Sequence, residues 1–205
     1  MIDGDAYGWL MAGANRDVDP FDTHIVASIL ALAIEEGGAL PDRCGLTQSA
    51  IADMAGQYFP SRAAALADMA AGGRHTPEIE EESVRGLLLS HASGQNPLET
   101  PLAAMVARRA VEPNHLWQDL GLRNRDELSD LLDRHFGPLA RQNSDGMKWK
   151  RFFYRKLCEA EGFVLCTTPV CTDCSDFDMC FGEETGEARL ARSRRADTQT
   201  LVNIG

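Results

Sequence analysis

Apolar residues recur along this chain with helical spacing, and glycine pairs punctuate the runs. Ile25, Ile29, Leu32 and Ala33 share one helical face from Phe21 onward, and Gly37-Gly38 ends that run. Thr47 is placed to cap a helix through Met54, and Ser61 one through about Ala71, where Gly72-Gly73 stops it. Thr76-Pro77 opens a further helix to about His91, with Glu78, Glu80 and Glu81 near its N-terminal dipole. Thr100-Pro101 repeats that start signal ahead of Leu102, Met105, Val106 and Ala110. Asn124-Arg-Asp-Glu127 has the form of a capping box, followed by the stripe Leu128, Leu131, Leu132, His135 and Phe136. A last helix runs from about Met147 to Glu161. No stretch alternates with period two between hairpin signals, so the fold class is all-α.

This pattern divides the chain into four parts. Residues 1–20 are polar and rich in Gly and Asp, and read as a mobile arm. A single helical domain follows over 21–162, then a cysteine-rich loop over 163–182 and a flexible tail over 183–205. At 205 residues the chain is long enough to bury a real core. Its net charge of −11 opposes generic binding to nucleic acid, whose phosphates favour a Lys and Arg surplus. The N-terminus is acidic and lacks the basic-then-apolar order of a signal peptide. The longest apolar run, Ile25 to Ile34, is far short of a membrane span. These features together predict a cytoplasmic protein with no membrane partner.

The loop over 163–182 carries the chemistry. Cys166, Cys171, Cys174 and Cys180 are spaced C-x4-C-x2-C-x5-C. In a reducing compartment so tight a set of thiols binds metal rather than forming disulfides. The first three repeat the C-x4-C-x2-C spacing of plant-type iron–sulfur proteins. A four-thiolate zinc site more often pairs two C-x2-C knuckles across a longer spacer. Only one such knuckle is present here, so an iron–sulfur cluster is the favoured occupant and structural zinc the alternative. Cys44 and Cys158 stand apart and read as buried small apolar residues, with Cys158 near enough to the loop to stay a candidate ligand.

The helix entering this loop reverses the charge of the chain. Lys148, Lys150, Arg151, Arg155 and Lys156 fall within Met147 to Leu157 with no acid among them. A solvated face opposite an aromatic stripe of Trp149, Phe152 and Phe153 explains such a segment. A second reading is a flank for an anion, since a thiolate-ligated cluster is itself negative.

Several segments in order resemble the NifQ family: Pro113 to Gly121, Arg125 to Ser129, Arg134-His-Phe136, Met147 to Tyr154, and Cys166 to Cys180 followed by Phe181-Gly182. The likeness covers residues 98–182, and the N-terminal half is similar only in helical character and length. It implies a molybdenum–iron–sulfur protein that supplies molybdenum to nitrogenase iron–molybdenum cofactor assembly, in which the four cysteines bind a cluster of Mo-3Fe-4S type. The implied partners are the cofactor assembly proteins, a scaffold and the reductase component, together with molybdate or another molybdenum source. Irons in such a cluster each take one soft thiolate, whereas molybdenum also accepts oxygen and nitrogen. His115 and His135 are therefore candidate molybdenum ligands, with Asp119 behind them. His24, His75 and His91 read as surface or packing residues, and Trp117, Trp149 and Tyr154 as core anchors.

Two other classes compete. A helix-hairpin-helix DNA glycosylase can also end in an iron–sulfur loop, but it needs six residues before C-x2-C, a Gly-rich hairpin and a basic face. A helix-turn-helix regulator is suggested by Leu46 to Ala55, yet Ser61 to Ala71 offers only Arg62 as a cation. No catalytic motif is present: there is no G-x-S-x-G, P-loop, H-E-x-x-H or dinucleotide fingerprint. The chain reads as a cluster carrier rather than an enzyme, with its loop reached by partner proteins.

Overall fold

A computed structural model of the chain describes residues 5–160. Those residues are all-α, and no strand occurs among them. The cysteine-rich loop and the tail lie outside the described residues.

Helix α2, Pro20–Glu36, is the centre of the domain. Pro20 occupies its first turn, and the Asp19 carboxylate accepts from the backbone N–H of Phe21 at 2.9 Å and of Asp22 at 3.0 Å. Most residues from Asp22 to Ala33 are buried, so the helix is covered on nearly every side rather than along one stripe. Gly37 closes it at φ +73°, in the left-handed region.

Around α2 the chain places α1 (Ala6–Met11), α3 (Leu40–Cys44), α4 (Gln48–Tyr58), a 3-10 turn (Pro60–Arg62), α5 (Ala63–Ala70), α6 (Ile79–Ser90), α7 (Glu99–Ala110), α8 (Leu116–Asp119), α9 (Arg125–Ala140) and α10 (Trp149–Ala160). The expected mobile arm is corrected by α1. Asp5 caps this short helix through the Tyr7 N–H at 3.0 Å, and Ala6 and Leu10 are fully buried against the core. Its six residues are too few for a periodic pattern to be visible, and packing on α2 is what holds so short a helix.

Several helix starts shift from their expected positions. Ser61 lies inside the 3-10 turn rather than at a cap, α6 begins at Ile79 after Glu78, and α7 begins at Glu99. Thr47 does cap α4, accepting from the Ala50 N–H at 3.2 Å, and the helix runs on to Tyr58. Asn124 caps α9 by accepting from the Glu127 N–H at 3.0 Å, but the Glu127 carboxylate reaches past it to the Arg123 N–H at 2.8 Å.

Within α9 the backbone leaves helical geometry at Phe136, two residues before Pro138, whose ring removes an N–H and crowds the preceding turn. Ser93 answers both backbone groups at the kink. Its N–H donates to the His135 carbonyl at 2.9 Å, and its hydroxyl accepts from the Gly137 N–H at 3.3 Å. Gly121, at φ +69°, brings the α8–α9 turn against α2, and a Cβ there would sit 2.7 Å from the Ser28 carbonyl oxygen. Only glycine fits that approach.

One fully buried cation crosses the core. Arg109 on α7 is 1% exposed and places Nη1 between both carboxylate oxygens of Glu36, at 2.8 and 2.7 Å. Its Nε and Nη2 are buried without partners. Glu36→Ala therefore strands a charge and is expected to cost about 3 kcal/mol, whereas Arg109→Met is expected to be near neutral. Urea midpoints at unchanged slope check both.

Asp19 sets an acid dependence. The Asp22 N–H, opposed by partial burial and reinforced by Arg134, holds its carboxyl below the usual carboxylate range. A depressed folded value contributes stability above the ordinary carboxylate pKa of ~3.9, and the contribution is lost as pH falls through the lowered value. Asp19→Asn keeps the cap but removes the charge. It is expected to lose about 0.3–1 kcal/mol at neutral pH, with the gap closing in acid, as read from urea unfolding across pH.

Candidate functional site

The helix that leads into the cysteine motif is firmly seated. On α10, Phe152, Phe153 and Tyr154 are buried, Trp149 meets Phe152 edge-on at 5.7 Å between ring centroids, and its Nε1–H donates to the Ser129 hydroxyl at 3.3 Å. The aromatic stripe expected along this segment is thus a core stripe, packed chiefly toward α6.

An ion pair fastens its first turn. Lys150 donates to Asp119 Oδ2 at 2.6 Å and to the carbonyl of Glu112. Both side chains are shielded, at 13% and 5% exposure, and Asn114 also donates to Asp119 at 3.0 Å. Asp119 thereby ties α8 to α10 and is engaged as an anchor. Arg155 and Lys156 pair with Glu159 at 3.0 and 2.9 Å, and those two cations hold its carboxyl below the ordinary range. Three of the five cations expected to flank an anion are therefore engaged by carboxylates of the chain itself.

The two histidines proposed as ligands occupy different settings. His115 is half-buried at the N-cap of α8, its backbone N–H donating to Gln118 Oε1 at 3.2 Å. His135 is 1% exposed, with Nε2 3.0 Å from Asp22 Oδ1 and Nδ1 buried without a partner. Asp22, itself 2% exposed, also accepts from Asn96 Nδ2 at 2.7 Å and faces Arg134 Nε at 3.3 Å. His135 is thus part of a polar knot inside the core. Among the described residues no three His, Cys, Asp or Glu side chains converge as a metal site.

His24 is buried as well, in a relay that no local motif announces. Tyr7 Oη lies 2.7 Å from its Nδ1, Glu127 Oε1 lies 2.7 Å from its Nε2, and Arg123 flanks His24 and Glu127. These partners are 17 and 103 residues away, so no spacing rule could have paired them. His75 pairs with Glu81 at 2.6 Å, and His91 bonds through Nδ1 to the Leu87 carbonyl at 2.9 Å. Cys44 is fully buried, and desolvation pushes its thiol up to about 11, leaving it an inert packing group. Cys158 sits half-buried on α10. Cys166, Cys171, Cys174 and Cys180 lie outside the described residues.

These features define a class: an all-α protein in which an anchored helix, α10, is followed in sequence by a four-cysteine motif. A family model described as NifQ matches residues 25–182, and the chain belongs to that family. The match takes in the motif and begins in α2, so the likeness extends well beyond the 98–182 segment where the motifs are evident. A NifQ homolog of Sinorhizobium fredii is 38% identical over 197 residues, covering 90% of this chain and 86% of its own. The NifQ protein of Azotobacter vinelandii is 35% identical over 156 residues, covering 71% of this chain and 80% of its own. That of Rhodobacter capsulatus is 33% identical over 178 residues, covering 81% and 97%. No solved structure matches the chain. Among the described residues no helix is long and apolar enough to cross a membrane.

The anchor yields a test. Asp119→Ala leaves Lys150 shielded from water without its carboxylate, and is expected to cost about 3 kcal/mol. Adding Lys150→Met should restore much of that loss. A double-mutant cycle in urea is expected to report a coupling of about 1–3 kcal/mol.

Proposed function

We propose that this protein carries molybdenum for assembly of the nitrogenase iron–molybdenum cofactor, holding it in a molybdenum–iron–sulfur cluster on Cys166, Cys171, Cys174 and Cys180. The observation that carries the reading is the C-x4-C-x2-C-x5-C spacing in a chain of the NifQ family. The donor set fits the cargo. Three thiolates complete three iron tetrahedra, and the fourth, with oxygen or nitrogen donors, serves a molybdenum of higher coordination number.

His115 is the histidine best suited to join that sphere, because it is half-buried rather than sealed in the core. Helix α10 is about 18 Å long, and the six residues from Ala160 to Cys166 span up to ~20 Å. The motif can therefore reach back toward α8. His135 is assigned a packing role, since ligation would require it to leave Asp22 and the interior. Partners of the carrier are the cofactor assembly proteins in the cytoplasm, and its supply is molybdate or a molybdenum species derived from it. Delivery requires a cluster that partners can touch, and a reachable cluster is sensitive to oxygen.

The test is metal and sulfide analysis, with electron paramagnetic resonance, on protein purified anaerobically after iron–sulfur reconstitution with molybdate. Iron, sulfide and molybdenum are expected together. Cys171→Ala is expected to lose the cluster while keeping its helical circular dichroism. His115→Ala should lose molybdenum more readily than iron. Zinc alone, with no iron, sulfide or molybdenum, would overturn the reading.

A further inference from the structure

A cavity of about 330 Å³ opens between α4, α6 and α7. Its size lies at the lower end of small-molecule sites. Leu46, Met54, Leu98 and Ala104 supply apolar wall, while Thr100, Tyr58 and Arg85 supply polar groups.

Arg85 is the informative member. It is the sole cation of α6, and its Nε is buried with no hydrogen-bond partner. Three other shielded cations are matched by carboxylates: Arg108 by Glu112, Arg109 by Glu36, Lys150 by Asp119. The natural partner of Arg85, Glu81 one turn earlier, is turned instead to His75 at 2.6 Å. Asp53 is the lining's only carboxylate; it is exposed and forms no ion pair with Arg85. A buried donor left unmade costs about 1–3 kcal/mol, and Arg85, unlike Arg109 and His135 with their own unpartnered buried nitrogens, lines a cavity from which an acceptor can come. Tyr58 also lines the cavity, its phenol pushed up to about 12, first by burial and then by Asp22 and Asp19.

We propose that this cavity binds a small organic carboxylate, its carboxyl group on the Arg85 guanidinium and its apolar body against Met54, Leu98 and Ala104. A planar two-oxygen anion matches the guanidinium fork, and the apolar wall selects an organic body over a bare inorganic oxyanion.

Titration calorimetry of the full chain with phenylacetate, 4-methylpentanoate, phenylacetamide and molybdate tests it. At least one of the two carboxylates is expected to bind saturably, and phenylacetamide and molybdate at least tenfold more weakly. Arg85→Gln should weaken carboxylate binding at least tenfold with unchanged circular dichroism. Ala50→Phe, which fills the cavity from α4, should abolish it, with folding checked in the same way. Absence of saturable carboxylate binding to folded protein would overturn the proposal. So would equal binding of the amide or of molybdate, or an Arg85→Gln variant of unaltered affinity.

Discussion

Helix α2 is covered on nearly every side, and the rest of the domain follows from that burial. Ile25, Ile29 and Leu30 lose essentially all contact with water, a gain of roughly 1.5–3 kcal/mol for each side chain. The same burial takes Asp22 and His24 out of solvent, where polar groups are costly unless bonded. Their partners must then come from inside the fold. Asp22 draws in Asn96, Arg134 and His135, and His24 draws in Tyr7 and Glu127. Through these bonds α1, α9 and the segment before α7 are held to one central helix.

The same reasoning explains why α9 can afford its kink. Pro138 frees backbone groups that would be unanswered in an isolated helix, and Ser93 supplies both a donor and an acceptor. His135 sits at that break, with its carbonyl on Ser93 and its ring on Asp22. Its ring and carbonyl are thus both engaged at the kink. Helix α10 is fixed by a different device, a shielded Lys150–Asp119 pair beside an aromatic seat. Helix α10, which precedes the cysteine motif in sequence, is thereby fixed to the core.

The fold also weighs on the competing readings. The segment suggesting a helix-turn-helix does form α4, but α5 after it, Ala63–Ala70, has no cation with which to meet phosphate. The basic stretch on α10 is largely matched by Asp119 and Glu159 rather than presented as a patch. Neither feature supports a nucleic-acid interface, in keeping with the net charge of −11.

Local patterns settle what depends on local physics. The helical class, the ends of α2 at Gly37 and of α4 at its Thr47 cap, the buried stripe of α9 and the inert Cys44 were all legible from residues a few positions apart. Tertiary structure decided what depends on distant partners. It gave α1 a place in the core, turned His24 and His135 into buried hydrogen-bonding groups, engaged Asp119 with Lys150, and sealed Arg109 against Glu36. The reason is physical. Helix propensity and capping act over one turn, whereas the cost of burying a charge is met only by a group that folding brings near.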